Sequence, residues 1–368
     1  MGLRPIFLAA GGTGGHLFPA EALAIELKAR GASVELVTDI RAKAYAGNFP
    51  ARAVHAVSSD TVRGRSAIAL LRTATSLGVG FGESVRLLRD HRPIAVVGFG
   101  GYPSVPPIAA AQLLRIPTII HEQNAVMGRG NRLLAKRATA IATGFASLSN
   151  AEPAIRAKAV HVGNPVRPAV RQAAETPFLA PEDDGPIHIL VFGGSQGARI
   201  MAQVVPPALA LLDGAMRARL RVTQQARKED IEAVMSTYAV AGISADIAPF
   251  FSDLPQRMAQ AHLVIGRSGA STVAELGVIG RPSILVPLPH SLDQDQLHNA
   301  RMLGGLGAAT IILQDDFTPE ALAAHLRDLF NDPDRLAMEA AAAHNAGLPD
   351  AASRLADLVL KVARGSHT

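Results

Sequence analysis

Two glycine clusters, each following a short apolar run, mark where this chain is equipped for chemistry. Gly11-Gly12-Thr13-Gly14-Gly15-His16 follows residues 6–10, and Gly193-Gly194-Ser195-Gln196-Gly197-Ala198-Arg199 follows residues 187–192. Glycines at a strand-to-helix turn let backbone N–H groups approach a ligand closely, and the helix that follows aims its positive end at the same point. Such turns bind anions, phosphates above all. His16 adds a group that titrates near neutrality where the first loop becomes a helix, placed to take a proton from an incoming hydroxyl. The plainer reading of a lone histidine there is a cap or a surface residue.

Three further segments carry polar side chains where a predicted strand ends. His121-Glu122-Gln123-Asn124 sets four in a row, which is costly unless they line a site, and such groups suit sugar hydroxyls; a polar loop closing a sheet edge is the alternative. Arg267-Ser268-Gly269-Ala270-Ser271-Thr272 reads as a small-residue helix start able to receive phosphate, running on through Val273 and Ala274 to Glu275. A carboxylate at Glu275 can accept both hydroxyls of a ribose, or it can simply offset the helix dipole. The run Asp293-Gln294-Asp295-Gln296-Leu297-His298-Asn299-Ala300 has too many amides and acids for a neutral connection. Its acids and His290 lack a ligand spacing and the chain has no Cys, so no metal site is expected.

The elements that must position these residues follow from the apolar pattern. Runs at 6–10, 33–38, 94–98, 118–121, 140–143 and 159–162 read as strands, separated by helical patterns such as 19–30 and 106–114. That alternation predicts a parallel sheet with helices on both faces. It restarts after Gly163-Asn164-Pro165 with strands at 187–192, 220–224, 245–248, 263–266, 283–286 and 309–313. Two α/β domains are expected, 1–163 and 164–349, with a last helix at 350–363 in the segment 350–368 and its packing partner open. At 368 residues, with 48% hydrophobic and 18% charged side chains, the chain is long enough for two such cores. Ligands of open α/β sheets sit beyond the carboxyl ends of the strands, which places the expected site in a cleft between the domains.

Other function classes fit less well. The first loop and Asp39, at the end of the second strand, resemble a nicotinamide-binding unit, but Leu17 stands at the third glycine position of that motif. A dehydrogenase also has no use for the second glycine loop. Net charge +5 and a pI near 9.9 allow nucleic acid, anionic lipid or phosphorylated partners. With 3 Tyr, 12 Phe and no Trp, and no basic-aromatic pattern, nucleic acid is not expected.

GGTGGH, the GFGGYPS of Gly98–Ser104, HEQN, the GNPVR of Gly163–Arg167, GGSQGAR, RSGAST-VAE and DQDQLHNA follow one another in an order that resembles the MurG family, over Leu8 to about Leu313. The resemblance implies a GT-B fold of two Rossmann-like domains and an inverting, metal-independent hexosyltransferase without a cofactor. Its donor would be UDP-N-acetylglucosamine, and its acceptor the C4 hydroxyl of the muramyl sugar of lipid I, giving lipid II for peptidoglycan. By similarity, the backbone of Phe251 would read the uracil and Glu275 would hold the ribose. Ser195 and Ala270, Ser271 and Thr272, with Val273 and Ala274 behind them, would take the diphosphate, and Arg167 would approach the donor. Gln296 and Asn124 would bind the transferred sugar, with Thr13, Gly14 and Gly15 closing from the first domain. His16 is the first candidate for the base and Glu122 the second. Asp295 departs from the usual family residue.

The lipid acceptor implies a peripheral protein on the cytoplasmic face of the inner membrane, with cell-wall synthesis and division proteins as possible partners. Arg63, Arg65, Arg72, Arg86 and Arg89 interleave with Ile68, Leu71, Leu77, Val79 and Phe81, a pattern suited to an anionic surface or to a helix packed on the core. The N-terminal apolar run is too short for a signal-peptide core, and no run is long enough to span a membrane. A UDP-N-acetylglucosamine epimerase of similar architecture remains the alternative.

Overall fold

The computed structural model describes residues 4–11, 14–39, 49–59, 67–194 and 197–365. Thr13, Ser195, Arg63 and Arg65 lie outside the described residues, as do the side chains of Ile68, Leu71 and Arg72. The chain divides into two compact units, Met1–Arg167 with Pro349–Thr368, and Pro168–Leu348. The division falls after Arg167 where the sequence pointed to Gly163, and the final helix returns to the first unit.

The first unit is built on β1 (Ile6–Ala9), β2 (Val34–Thr38), β3 (Ala53–Ala56), β4 (Ala95–Gly98), β5 (Thr118–Glu122), β6 (Ala140–Thr143) and β7 (Ala159–His161). They pair in parallel in the order β3-β2-β1-β4-β5-β6-β7. Continuous apolar runs give strands buried on both faces, which is why β1 reads Ile-Phe-Leu-Ala without a polar residue. Ile6 and Leu8 face Leu23 and Leu27 of the helix Gly14–Ala29, with Leu355 and Val359 of the helix Ala351–Gly365 in the same core. Phe7 points the other way, into a core with Leu88 of the helix Ala67–His91 and Ile108 of the helix Val105–Leu113. The edge strand β3 escaped the sequence reading because it is four residues long, contains a histidine and is only half-buried.

The returning helix is held by more than apolar contact. Arg30 donates from Nη1 to Asp357 at 2.5 Å and from Nη2 to the Ser353 hydroxyl at 2.7 Å. Leu355 is fully buried, so truncating it to alanine would cost about 2–5 kcal/mol of stability.

The second unit repeats the plan with β8 (Ile187–Phe192), β9 (Leu220–Gln225), β10 (Ser244–Ala248), β11 (Leu263–Gly266), β12 (Ser283–Leu285) and β13 (Ala309–Ile311). The order is β10-β9-β8-β11-β12-β13, all parallel. In each sheet the winding direction reverses beside the first strand, between β1 and β4 and between β8 and β11. Loops leaving such a pair diverge to opposite faces and leave room for a ligand. The glycine-rich segments of both units are those loops.

Candidate functional site

In the first unit His16 lies in the opening turn of the helix Gly14–Ala29, directly after the β1 loop. It rests in a notch walled by glycine. A β-carbon at Gly101 would stand 3.2 Å from its Cδ2 and 3.3 Å from its Nε2, one at Gly100 3.5 Å from its Cε1, and one at Gly11 3.4 Å from its Cδ2. Gly100 and Gly101, in the loop after β4, have φ of +84° and +73°, a backbone that disfavours any side chain. Two loops that meet only at the sheet's switch point therefore seat one imidazole.

The residue is half-buried, but its Nδ1 is shielded and makes no well-formed hydrogen bond among the described residues. Burial lowers the His16 pKa below its ordinary 6.5, opposed weakly by the nearby Phe99 carbonyl and Gln123 side chain. At neutral pH the ring is unprotonated and can accept a proton.

Glu122 ends β5 with its carboxylate already occupied. Oε1 accepts from the Asn124 backbone N–H at 3.0 Å and its side-chain amide at 3.4 Å; Oε2 accepts from Gly128 N–H at 2.9 Å and Asn131 Nδ2 at 2.8 Å. Burial raises its pKa, with those four donors pulling the other way. The carboxylate closes the 124–131 turn and orients the half-buried Asn124. Gln123 donates from Nε2 to the Phe99 carbonyl at 2.9 Å, binding this turn to the His16 notch.

The HEQN and GNPVR motifs, 42 residues apart, are one structure. His121 donates from Nε2 to the Gly163 carbonyl at 3.0 Å, and Asn164 donates to the Gln123 carbonyl at 2.9 Å. That clamp fixes the segment carrying Arg167. Its guanidinium stacks 4.2 Å over the Phe18 ring, and it lowers the burial-raised pKa of Glu21. Gly14 and Gly15 open the helix, which has no acid in its first turn to repel an anion.

In the second unit the helix Ala270–Ile279 starts from Gly269, which has no side chain to cap it. The first-turn N–H groups of Ala270, Ser271 and Thr272 thus have no helical acceptor, and these residues are half-buried. Val273 packs into the core, and its N–H donates to the Gly269 carbonyl at 3.0 Å. Ala274 is half-buried, and Glu275 is buried one turn along.

The neighbouring run is braced against this helix start. Ser268 donates from its hydroxyl to the Gln296 carbonyl at 2.8 Å and accepts at its own carbonyl from Asn299 at 3.3 Å. Gln296 Oε1 accepts from Leu288 N–H at 3.0 Å, which turns the amide nitrogen into the free donor end. His290, Asp293 and Gln294 have φ between 54° and 59°, half of the six such non-glycine residues among those described. Strain concentrated there accompanies binding loops. Asp295 begins the helix Asp295–Gly304 and accepts from Gln296 N–H at 2.7 Å, the place for a helix-start acid.

Two residues of this region make contacts that the sequence reading did not give them. Gln225, at the end of β9, accepts from Gly193 N–H at 3.3 Å and donates to the Pro249 carbonyl at 3.2 Å, so it links the glycine loop to the Pro249-Phe250-Phe251 segment. Phe251 is buried beneath Arg257, whose guanidinium lies 4.3 Å from the ring centre. Arg267 donates to the carbonyls of Val286 at 3.0 Å and Pro287 at 3.1 Å and to Gln314 Oε1 at 2.6 Å, joining the ends of β11 and β12. Both link segments far apart in sequence. The only signal for Gln225 was a polar residue at a strand's carboxyl end.

Residues 6–143 match the glycosyltransferase family 28 N-terminal domain, and residues 188–355 match its C-terminal domain. A relative from Methylobacterium sp. (strain 4-46), named UDP-N-acetylglucosamine–N-acetylmuramyl-(pentapeptide) pyrophosphoryl-undecaprenol N-acetylglucosamine transferase, is 57% identical over 364 residues, 99% of this chain and 98% of the relative. A crystal structure of Acinetobacter baumannii MurG superposes with a TM-score of 0.78 at 30% identity, covering 97% of this chain and 99% of that one. The UDP-GlcNAc 2-epimerase from Neisseria meningitidis, bound to UDP-GlcNAc, reaches a TM-score of 0.69 at 12% identity, covering 97% of this chain and 100% of that one. That likeness is one of fold.

Proposed function

The chain belongs to the MurG family of glycosyltransferase family 28, with its GT-B fold of two Rossmann-like units, and from that premise we propose that it transfers N-acetylglucosamine from UDP-N-acetylglucosamine to lipid I, forming lipid II. The observation that carries this reading is the 57% identity across almost the whole chain to a transferase of that name. No specific observation favours the epimerase, since the likeness to it stops at the fold.

The roles divide between the units. In the second, Glu275 accepts from the ribose hydroxyls, the Phe251 backbone reads the uracil, and the N–H groups at Ala270, Ser271 and Thr272 face the diphosphate together with Ser195. Arg167 adds positive charge from the first. The side-chain amides of Gln296 and Asn124 serve the sugar hydroxyls, and Thr13, Gly14 and Gly15 contribute from the first unit. His16 removes the proton from the muramyl C4 hydroxyl as its oxygen bonds to the anomeric carbon. The bond from that carbon to the diphosphate breaks, UDP leaves with the electron pair, and attack opposite the leaving group converts the α-linkage to β. Fixed N–H donors stabilise the departing charge without reorganisation. Glu122, with both carboxylate oxygens occupied, is a positioning residue for Asn124 rather than the base.

The membrane face is proposed on charge. Arg86 and Arg89 are exposed on the helix Ala67–His91 beside the half-exposed Val79, an arrangement suited to anionic lipid. Phe81 packs on the core instead. Among the described residues no helix is long and apolar enough to cross a membrane. Replacing Arg86 and Arg89 with Gln should weaken binding to anionic vesicles and spare transfer to a short water-soluble acceptor; equal loss on both would place these arginines in the fold or the acceptor site.

The deciding assay is transfer of labelled N-acetylglucosamine from the UDP donor to a lipid I analogue. Labelled lipid II is the expected product. A new UDP-sugar from donor alone, with no acceptor product, would give the chain to the epimerases.

A further inference from the structure

A second constellation lies apart from these loops, on the far side of β1. β2 reads Val-Glu-Leu-Val-Thr with every residue buried, so Glu35 is a carboxylate on a face otherwise packed with Phe7, Val37 and Leu88. The register sets Glu35 beside Phe7 of β1 and Ala53 of β3, and His55, two residues past Ala53, shares that face. The helix Ala67–His91 delivers His91 to the same place with its last residue.

All three side chains converge on one point. His55 Nε2 lies 2.7 Å and His91 Nδ1 2.9 Å from the same oxygen, Glu35 Oε2. The three ligand atoms fall within 4.8 Å of one another. Arg52 donates from Nε to the other oxygen, Oε1, at 3.0 Å and fixes the carboxylate plane, as an outer-shell donor does. Phe7 floors the cluster, its ring centre 5.7 Å from His55 and 5.6 Å from His91. The rings of His55 and His91 meet edge to face at 4.8 Å. The Glu35 side chain is fully shielded, whereas His55 and His91 are 20% and 30% exposed, which gives a cation access from one side.

We propose that Glu35, His55 and His91 form a binding site for a borderline divalent cation, Zn²⁺ foremost. Two imidazole nitrogens and one carboxylate oxygen are the donor set that such an ion takes in three-ligand sites, with solvent completing the fourth position. Bonds of about 2.0–2.2 Å require the three atoms to spread around a shared centre by well under ~1 Å each. The ion takes the place of the N–H hydrogens that now lie between the rings and the oxygen, and each neutral imidazole then carries its hydrogen on the other ring nitrogen. Its three ligands come from β2, β3 and a helix end, so the ion cross-links the edge of the first sheet to the helix that covers it. The site takes no part in sugar transfer. Nothing in the sequence marks it, since the ligands are 20 and 36 residues apart without a motif.

The test titrates ZnCl₂ into metal-stripped full-length protein by calorimetry and follows the unfolding midpoint, for the wild type and for His55→Gln and His91→Gln. One equivalent should bind the wild type and raise its midpoint. Each variant should bind about 100-fold more weakly or not at all. Transfer of N-acetylglucosamine should proceed at the same rate with and without Zn²⁺. Absence of saturable binding to the wild type, or binding by the variants as tight as the wild type's, overturns the proposal. Should the variants fail to fold, anomalous diffraction from Zn²⁺-soaked wild-type crystals decides: a peak bonded to Glu35, His55 and His91 supports the site, and a peak elsewhere or none refutes it.

Discussion

The two units share a strand order and a switch point, yet they furnish that point differently. In the first, the loops after β1 and β4 are stripped to glycine so that a side chain, His16, can sit between them. The second leaves its helix start at Ala270 without a capping side chain and braces it from behind with Ser268, Asn299 and Arg267. One unit clears backbone to admit a reactive group; the other clears side chains to expose backbone. On the roles proposed above, the same topology serves proton transfer in one half and charge stabilisation in the other.

The largest expected effect tests the first half of that contrast. His16→Ala should lower the turnover number by about 100-fold or more and leave UDP affinity nearly unchanged. Because burial holds the His16 pKa below 6.5, the basic form persists to lower pH than an ordinary imidazole. The acidic limb of kcat/KM should therefore have its midpoint below 6.5 and vanish in the mutant. A limb that survives in His16→Ala would assign the base elsewhere.

Glu275→Ala probes the second half. Losing charge-assisted bonds to a ribose should weaken donor binding by about 2 kcal/mol or more, roughly 30-fold, with a smaller change in turnover of bound donor. Unchanged donor affinity by calorimetry would remove the nucleotide from the second unit. Gln225→Ala should act more gently, since it loosens the tie between Gly193 and Pro249 without touching donor. About 1 kcal/mol per bond predicts a several-fold rise in donor KM with kcat nearly constant. A fall in kcat alone would mean that Gln225 acts in the chemical step.

The smallest expected effect is none. Chelation with EDTA should leave transfer intact, because the leaving charge is assigned to N–H groups and Arg167. Loss of transfer in EDTA, restored by a divalent ion, would break the assignment of charge stabilisation to backbone.

Much of this plan was legible in the residues because it depends on local pattern. Continuous apolar runs gave the bounds of β6, β8 and β11, and the two glycine clusters lie at the first strand of each sheet. What could not be read comes from distant segments brought together. Gly101 beside His16, Gln225 between two loops, and the His121–Gly163 clamp are consequences of strand order, which sequence periodicity does not encode. The four polar residues of HEQN illustrate both sides. Their cost at a strand end was visible, but that Glu122 would spend its acceptors on Asn124, Gly128 and Asn131 depended on the path of the 124–131 turn.

The return of the helix Ala351–Gly365 to the first unit also bears on how the chain matures. Residues 1–167 of the first unit leave the ribosome before the second, but its core lacks Leu355 and Val359 until about 190 further residues have been made, roughly 10–40 s at usual elongation rates. The second unit, continuous from Pro168 to Leu348, can complete its core within that interval. Meanwhile the apolar stripe of Leu23 and Leu27 lacks its cover of Leu355 and Val359. The unit synthesised first is thus the one finished last, and a fragment stopping at Arg167 should aggregate where residues 168–348 stay dispersed.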